Sequence, residues 1–119
     1  DHADLLPILF ELKATSFYLG LAREPDRARV LQMIRRYLKP EQRAFIGVID
    51  PLDPRVETPE EVRDRVLEAA RHIPVHQLGT TDDCGFGPLA DDPTTSRELA
   101  FAKIRARVLG TALASKELA

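Results

Sequence analysis

The stretch AFIGVIDPLDPRVETPEEV, residues 44–62, decides the fold of this protein. Residues 44–49 are a continuous apolar run, which is typical of a strand buried on both faces in a parallel sheet. Thr58, Pro59 and Glu61 are typical of a helix start, with an N-cap, a proline at the first helical position and a capping box. The stretch therefore predicts one βα unit: a buried strand, a stiff two-proline loop and a helix.

A second βα unit is predicted upstream. Residues 17–21, FYLGL, form a short apolar run without helical polarity, so we expect another strand buried on both faces. Pro25 then opens a helix, which Pro40 ends. Before this unit, residues 4–13 predict a helix with Asp4 as its N-cap. The predicted buried stripes of these two helices are Leu5, Ile8, Leu9 and Leu12, then Val30, Leu31, Ile34 and Leu38.

A third βα unit is predicted downstream. Gln77 to Thr81 indicate a shorter strand, and a loop rich in Gly, Pro and Asp follows it. Thr95 or Ser96 caps a last long helix. The predicted inward positions of the last two helices are Val62, Val66, Leu67, Ala70 and Ile73, then Leu99, Ala102, Ala106, Leu109 and Leu113.

One helix followed by three βα units predicts the α/β class with a parallel sheet and right-handed crossovers. Three units could form three-eighths of a (β/α)8 barrel, which needs about 250 residues. They could equally form a small open sheet, and the pattern leaves both open. The sequence contains no G-x-G-x-x-G, so a dinucleotide-binding fold has no support.

The composition bounds the function classes. The 119 residues suffice for one domain, and 17 basic and 19 acidic side chains are interspersed, so no nucleic-acid or anionic-membrane surface is expected. No apolar run approaches the roughly 20 residues of a membrane span, and no signal peptide is evident. A single cysteine excludes an internal disulfide and favours a cytoplasmic setting. The first residue is Asp1 rather than Met, so we expect that the chain was cut from something longer.

Candidate chemistry lies where parallel strands end. Cys84 is the sharpest candidate, because a thiolate is a good zinc ligand; the alternative is a buried small hydrophobe. Asp50 and Asp83 are candidate catalytic carboxylates, although strand-end aspartates also form turns. Glu24 is either a site residue or an acid at a helix N-terminus. The full set of candidate positions that follow the three predicted strands is Arg23, Glu24, Asp50, Asp53, Arg55, Asp82, Asp83, Cys84 and Gly85.

The histidines and the remaining arginines give weaker signals. His2, His72 and His76 are too scattered to predict a metal cluster. Arg97 could bind a substrate carboxylate or sulfonate, but a solvated arginine is more common. The arginines at 27, 29, 35 and 36 fit a solvated helix face better than a binding patch.

Four motifs occur in a specific order: GVID at 47–50, PRVETPEEV at 54–62, DCGF at 83–86 and AFAKI at 100–104. In this order the sequence resembles the C-terminal region of the cobalamin-independent methionine synthase family over about residues 4 to 115. TTDDCGF at 80–86 is similar to the methionine synthase II-like branch, which includes relatives of the epoxyalkane:coenzyme M transferases.

The resemblance implies a fold and a chemistry. Residues 1–119 would be the C-terminal catalytic-domain part of a (β/α)8 barrel, with zinc held by a His-x-Cys pair on an earlier strand and by a later cysteine that Cys84 matches. The implied reaction moves a methyl group from 5-methyltetrahydrofolate polyglutamate to a thiol such as homocysteine, giving methionine. The alternatives are alkyl transfer to coenzyme M or another thiol, and a non-catalytic half-barrel that dimerises.

The sequence also departs from the family pattern. It has no His-x-Cys pair, so the implied partner is the missing N-terminal part of the barrel or a second copy of the chain. Leu21 stands about where the family has a glutamate ligand, which leaves Glu24 as the candidate second metal ligand. Leu52 stands about where the family has a histidine.

Overall fold

The computed structural model describes residues 2–12, 14–83 and 97–119. Its order, one helix and then three βα units, is the predicted one. The elements are α1 (His2–Leu9), β1 (Ser16–Leu19), α2 (Arg27–Tyr37), β2 (Arg43–Ile49), α3 (Pro59–Ala70), a 3-10 turn (Val75–Gln77), β3 (Leu78–Asp82) and α4 (Arg97–Leu118).

The three strands form one parallel sheet in the order β1-β2-β3. Side chains alternate between its two faces. One face is buried under the helices and forms the core with Phe17, Leu19, Ala44, Ile46 and Val48. This arrangement confirms the parallel α/β prediction.

The opposite face, which we call the open face, is less covered than predicted. The rings of Tyr18 and Phe45 stack there with centroids 4.9 Å apart. Phe45 also lies over Gly79, where an added Cβ would be 2.5 Å from Phe45 Cε1. Tyr18 is 68% exposed, so the prediction that β1 is buried on both faces is wrong. The reason is that the described residues cover only one face of the sheet.

The start of α3 confirms the capping box. Glu61 N donates to Thr58 Oγ1 at 3.1 Å, and Thr58 N donates to Glu61 Oε1 at 3.4 Å. The strand before this helix has a register shift between Gly47 and Ile49. Arg65 of α3 donates to the Val48 carbonyl inside that irregularity at 2.6 Å.

Two other helix starts differ from the prediction. α1 begins at His2, so Asp4 lies in its first turn rather than at the N-cap. In α2, Asp26 is the N-cap, and its side chain accepts from Arg29 N at 3.2 Å. An aspartate side chain can accept this bond whereas the ring of Pro25 cannot, which is why the helix starts after Asp26.

The buried faces of α1 and α4 also differ from the prediction. In α1 and the turn that follows it, Leu6 and Phe10 are buried whereas Leu5, Ile8 and Leu12 are exposed. In α4, the buried residues are Lys103, Ala106, Gly110 and Ala114, whereas Leu109 and Leu113 are 49% and 38% exposed. A Cβ on Gly110 would be 2.5 Å from the Pro59 carbonyl, so only small residues fit where α4 crosses α3. The lack of space there places Gly110 inward, whereas the long side chain of Lys103 lies inward because the loop after β2 provides acceptors for it.

The amino end of the sheet is held by two buried glutamines. Gln42 Nε2 donates to the carbonyls of Phe10 and Ala14 at 3.2 and 3.4 Å, and its Oε1 accepts from Lys39 N at 2.9 Å. Gln77 Nε2 donates to the carbonyls of Lys39 and Gln42, both at 2.8 Å. These amides join the segment after α1, the loop before β2 and the start of β3.

Candidate functional site

The carboxyl ends of the strands meet at one edge of the sheet, as predicted. Asp83 N donates to the Ile49 carbonyl at 2.9 Å, so the residue after β3 lies beside the end of β2. Asp50, Asp82 and Asp83 therefore share this edge, which we call the rim. Asp82 and Asp83 are neighbours in sequence, but their side chains lie on opposite faces of the sheet.

Asp83 binds on the open face. Its Oδ1 and Oδ2 accept from the Ala22 backbone N–H at 3.2 and 3.0 Å, in the loop after β1. Its side chain lies over Gly20 and Gly47, and the residue is 8% exposed. Burial raises the pKa of Asp83, the backbone amides of Ala22 and its neighbours partly oppose this, and Asp50 adds to the rise.

Asp82 binds on the helix face. Its Oδ1 accepts from Arg107 Nε of α4 at 3.1 Å. At a second contact between β3 and α4, the hydroxyls of Thr80 and Thr111 are 3.0 Å apart. Burial raises the pKa of Asp82, and the nearby Arg107 guanidinium opposes the rise. Asp82 thus fixes α4 on β3 and points away from the open face.

Asp50 shapes the loop after β2. Its Oδ1 accepts from Leu52 N at 3.0 Å, and its Oδ2 is 3.5 Å from Arg23 Nε. Its side chain is 19% exposed, so it is accessible from the rim. Its own backbone N–H donates to Glu57 Oε2 at 2.8 Å. Leu52 itself is 59% exposed.

Glu57 and Lys103 form a buried ion pair that was not predicted from the sequence. Lys103 Nζ donates to Glu57 Oε1 at 2.7 Å and to the carbonyls of Asp53 and Arg55 at 2.8 and 2.6 Å. The two side chains are 0% and 2% exposed. The sequence signal was available, because Lys103 is in helical phase with the small residues Ala106 and Gly110. A lysine on such a face needs buried acceptors, and the loop after β2 provides them.

The predicted metal ligands are not assembled by the described residues. Cys84, the main candidate, lies outside them. Glu24 is half-buried in the loop after β1, and its N–H donates to the Leu21 carbonyl at 3.1 Å. Within residues 2–12, 14–83 and 97–119, no three His, Cys, Asp or Glu side chains are close enough to hold a metal ion.

The weaker candidates lie elsewhere. His72 lines a cavity of about 310 Å³ at the amino end of the sheet, together with Arg35 and Arg71. His76 is exposed near the same end, and Arg97 is exposed at the start of α4. Among the described helices, none is both long and apolar enough for a membrane span.

Comparison with known proteins shows which family the chain belongs to. Over 109 residues, 92% of its length, the chain is 34% identical to the methionine synthase of Thermococcus kodakarensis. Over 117 residues, 97% of its length, it is 33% identical to the 2-hydroxypropyl-CoM lyase of Xanthobacter autotrophicus. The chain belongs to the cobalamin-independent methionine synthase family, as its sequence motifs predicted. It spans 30% of the length of each of these two relatives.

A solved structure has the same fold. A B12-independent methionine synthase from a Shewanella species, determined in complex with selenomethionine, superposes with a TM-score of 0.79 at 23% identity. The match covers 97% of this chain and 30% of the other. No protein-family profile matches the chain.

Proposed function

We propose that this chain is the C-terminal part of a zinc-dependent methyltransferase that moves a methyl group from a 5-methyltetrahydrofolate donor to a thiol such as homocysteine. The observation that carries the proposal is the rim: three aspartates gather at the carboxyl ends of parallel strands, and one of them, Asp83, directly precedes Cys84 in the sequence. Catalytic groups in parallel α/β folds lie at this end. One relative, at 33% identity, is named 2-hydroxypropyl-CoM lyase, and another, at 34% identity, is named methionine synthase. Both names refer to compounds with an alkyl group on sulfur.

The surface of the chain supports the proposal that it is three-eighths of a (β/α)8 barrel. Tyr18 of the open face is 68% exposed, and Ile8 of α1 and Phe101 of α4 are 70% and 60% exposed. In the described part of the chain, no strand pairs with the outer edges of β1 and β3. A closed barrel would bury the open face and pair both edges. The missing partner would then be the remainder of the barrel, and a second copy of the chain is the alternative.

Cys84 and Glu24 are the proposed metal ligands of this chain, and Asp50 is the proposed catalytic carboxylate. Asp50 fits best because its carboxylate is partly exposed at the rim, beside Arg23. Asp83 was the second predicted catalytic carboxylate, but both its oxygens accept from Ala22 N. Zinc, when bound, would lower the pKa of the substrate thiol and keep it as a thiolate. The described residues do not by themselves fit a zinc ion, so the other ligands must come from residues outside them.

A second candidate is alkyl transfer to coenzyme M on the same scaffold. It is favoured by the 33% identity to 2-hydroxypropyl-CoM lyase over 97% of this chain, a longer match than that to the Thermococcus methionine synthase. The two candidates share the activated thiol and differ in the thiol and in the alkyl group. A cytoplasmic location fits both and rests on the single cysteine.

The test is zinc content and alkyl transfer, measured on the isolated chain and on the complete polypeptide that contains it. The test variant is Cys84→Ser. The control variant is Thr81→Ser, a similarly small change at a residue of β3 that is not a proposed ligand. We expect near-stoichiometric zinc in the complete polypeptide, lost with Cys84→Ser and kept with Thr81→Ser. Homocysteine methylation supports the first candidate, and coenzyme M alkylation supports the second. Zinc-free complete protein, or zinc that survives Cys84→Ser, would overturn the metal role of Cys84.

A further inference from the structure

We propose that Asp83 is a positioning residue that locks the loop after β1 to the end of β3 across the intervening strand β2. We call the group Asp83, Gly47 and Ala22 the clasp. The positioning role of Asp83 rests on the proposed function in one respect. The two segments that the clasp joins carry Glu24 and Cys84, the two proposed metal ligands.

Hydrogen bonding on both sides of Asp83 carries the inference. Its backbone N–H donates to the Ile49 carbonyl of β2 at 2.9 Å, and its carboxylate accepts from Ala22 N beyond β1 at 3.2 and 3.0 Å. One residue thus connects the ends of all three strands. A carboxylate is suited to this because it accepts hydrogen bonds on both oxygens and donates none.

The absence of a side chain at position 47 makes the contact possible. A Cβ on Gly47 would collide with Asp83 Oδ1 and would be 2.8 Å from its Cγ. At Gly20 the nearest Asp83 atoms would be 3.4 Å from an added Cβ, which is ordinary contact. Neither glycine has a positive φ, so alanine is compatible with the backbone at both positions.

Asp82 shows that this is not a general property of strand-end aspartates. It precedes Asp83, is also partly buried, and binds Arg107 on the helix face. Losing that contact would loosen α4 on β3 but would leave the loop after β1 untouched. Asp82 and Gly20 are therefore matched controls for Asp83 and Gly47.

The first measurement is amide hydrogen exchange at Ala22 in Asp83→Ala, Gly47→Ala, Asp82→Ala and Gly20→Ala. Alanine at position 83 has no acceptor for the Ala22 N–H, and the added methyl of Gly47→Ala expels the carboxylate. We expect exchange at Ala22 to speed up about tenfold in these two variants, as for one lost hydrogen bond. The controls should stay within about twofold of wild type. Unchanged exchange in Asp83→Ala would overturn the clasp.

The second measurement separates positioning from mere stability. Zinc release from the complete polypeptide to a chelator is timed for the same variants at temperatures equally far below each melting point. We expect release about tenfold faster in Asp83→Ala and Gly47→Ala, as for groups that orient metal ligands, and an unchanged rate in the controls. Faster exchange with unchanged zinc release would overturn the positioning role. If the wild type holds no zinc, the proposed function fails, whereas exchange at Ala22 still decides the clasp.

Discussion

The two ends of the sheet are held together by different chemistry. At the amino end, Gln42 and Gln77 are neutral amides that bind backbone groups of three segments. At the rim, the connecting groups are charged, and burial raises the pKa of Asp82 and of Asp83. Neutral amides cost less to bury than carboxylates do. The difference indicates that the amino end serves stability and that the rim keeps charged groups in spite of their desolvation cost.

The buried ion pair of Lys103 and Glu57, which contacts the rim through the N–H of Asp50, should give the largest effect. In Lys103→Met, Glu57 becomes a buried carboxylate without a cation, and the carbonyls of Asp53 and Arg55 lose their donor. We expect the free energy of unfolding to fall by about 3–5 kcal/mol, as for other broken buried pairs. Urea unfolding at neutral pH measures it.

The matched control for Lys103 is Lys116→Met, because Lys116 is exposed on the same helix. It should change stability by less than about 0.5 kcal/mol. Adding Glu57→Gln to Lys103→Met should recover part of the loss, since it removes the unpaired charge. A loss below about 1 kcal/mol in the single variant would contradict the importance of the pair.

The neutral amino end should give an intermediate effect that does not depend on pH. Gln77→Leu keeps the size of the side chain but leaves the carbonyls of Lys39 and Gln42 without this donor. We expect a loss of about 1–3 kcal/mol, constant over the range where carboxylates titrate. The exposed Gln32→Leu is the control. A loss that varied with pH would show that the amino end is coupled to the charged rim.

The exposed ion pair of Arg55 and Glu61, at the start of α3, should give the smallest effect and a clear pH signature. The Arg55 guanidinium, which donates to Glu61 at 2.7 and 2.8 Å, lowers the pKa of Glu61 to about 2. Because this pKa is below that of an unfolded glutamate, about 4.3, the pair stabilises the fold above that pH. The contribution is lost as the pH falls through about 2.

Glu61→Gln isolates this charge effect, because glutamine can still complete the capping box with Thr58. Its melting temperature should lie slightly below that of wild type at neutral pH and converge with it near pH 2. Glu60→Gln, an exposed change in the same turn, controls for general charge. A deficit that persisted at low pH would assign the effect to the cap instead.

Local signals in the sequence were sufficient for the order of elements. The capping box at Thr58 and the apolar run at 44–49 depend on neighbours in the chain, so both could be predicted. The rim followed from one rule, that parallel strands end at the same edge. The inner faces of α1 and α4 did not follow, because apolar residues occur on more than one side of each helix. Packing partners select among those sides.

The sequence by itself therefore determined the α/β class, the three βα units, the family relationship and which aspartates meet at the rim. Only the tertiary structure decided what each of them binds: Asp82 pairs with Arg107, Asp83 accepts from Ala22, and Lys103 reaches Glu57. The physical reason is separation along the chain. Asp83 and Ala22 are 61 residues apart, and Lys103 and Glu57 are 46 apart. Hydrophobic period and capping signals act over a few residues, whereas these bonds depend on how the sheet and helices pack.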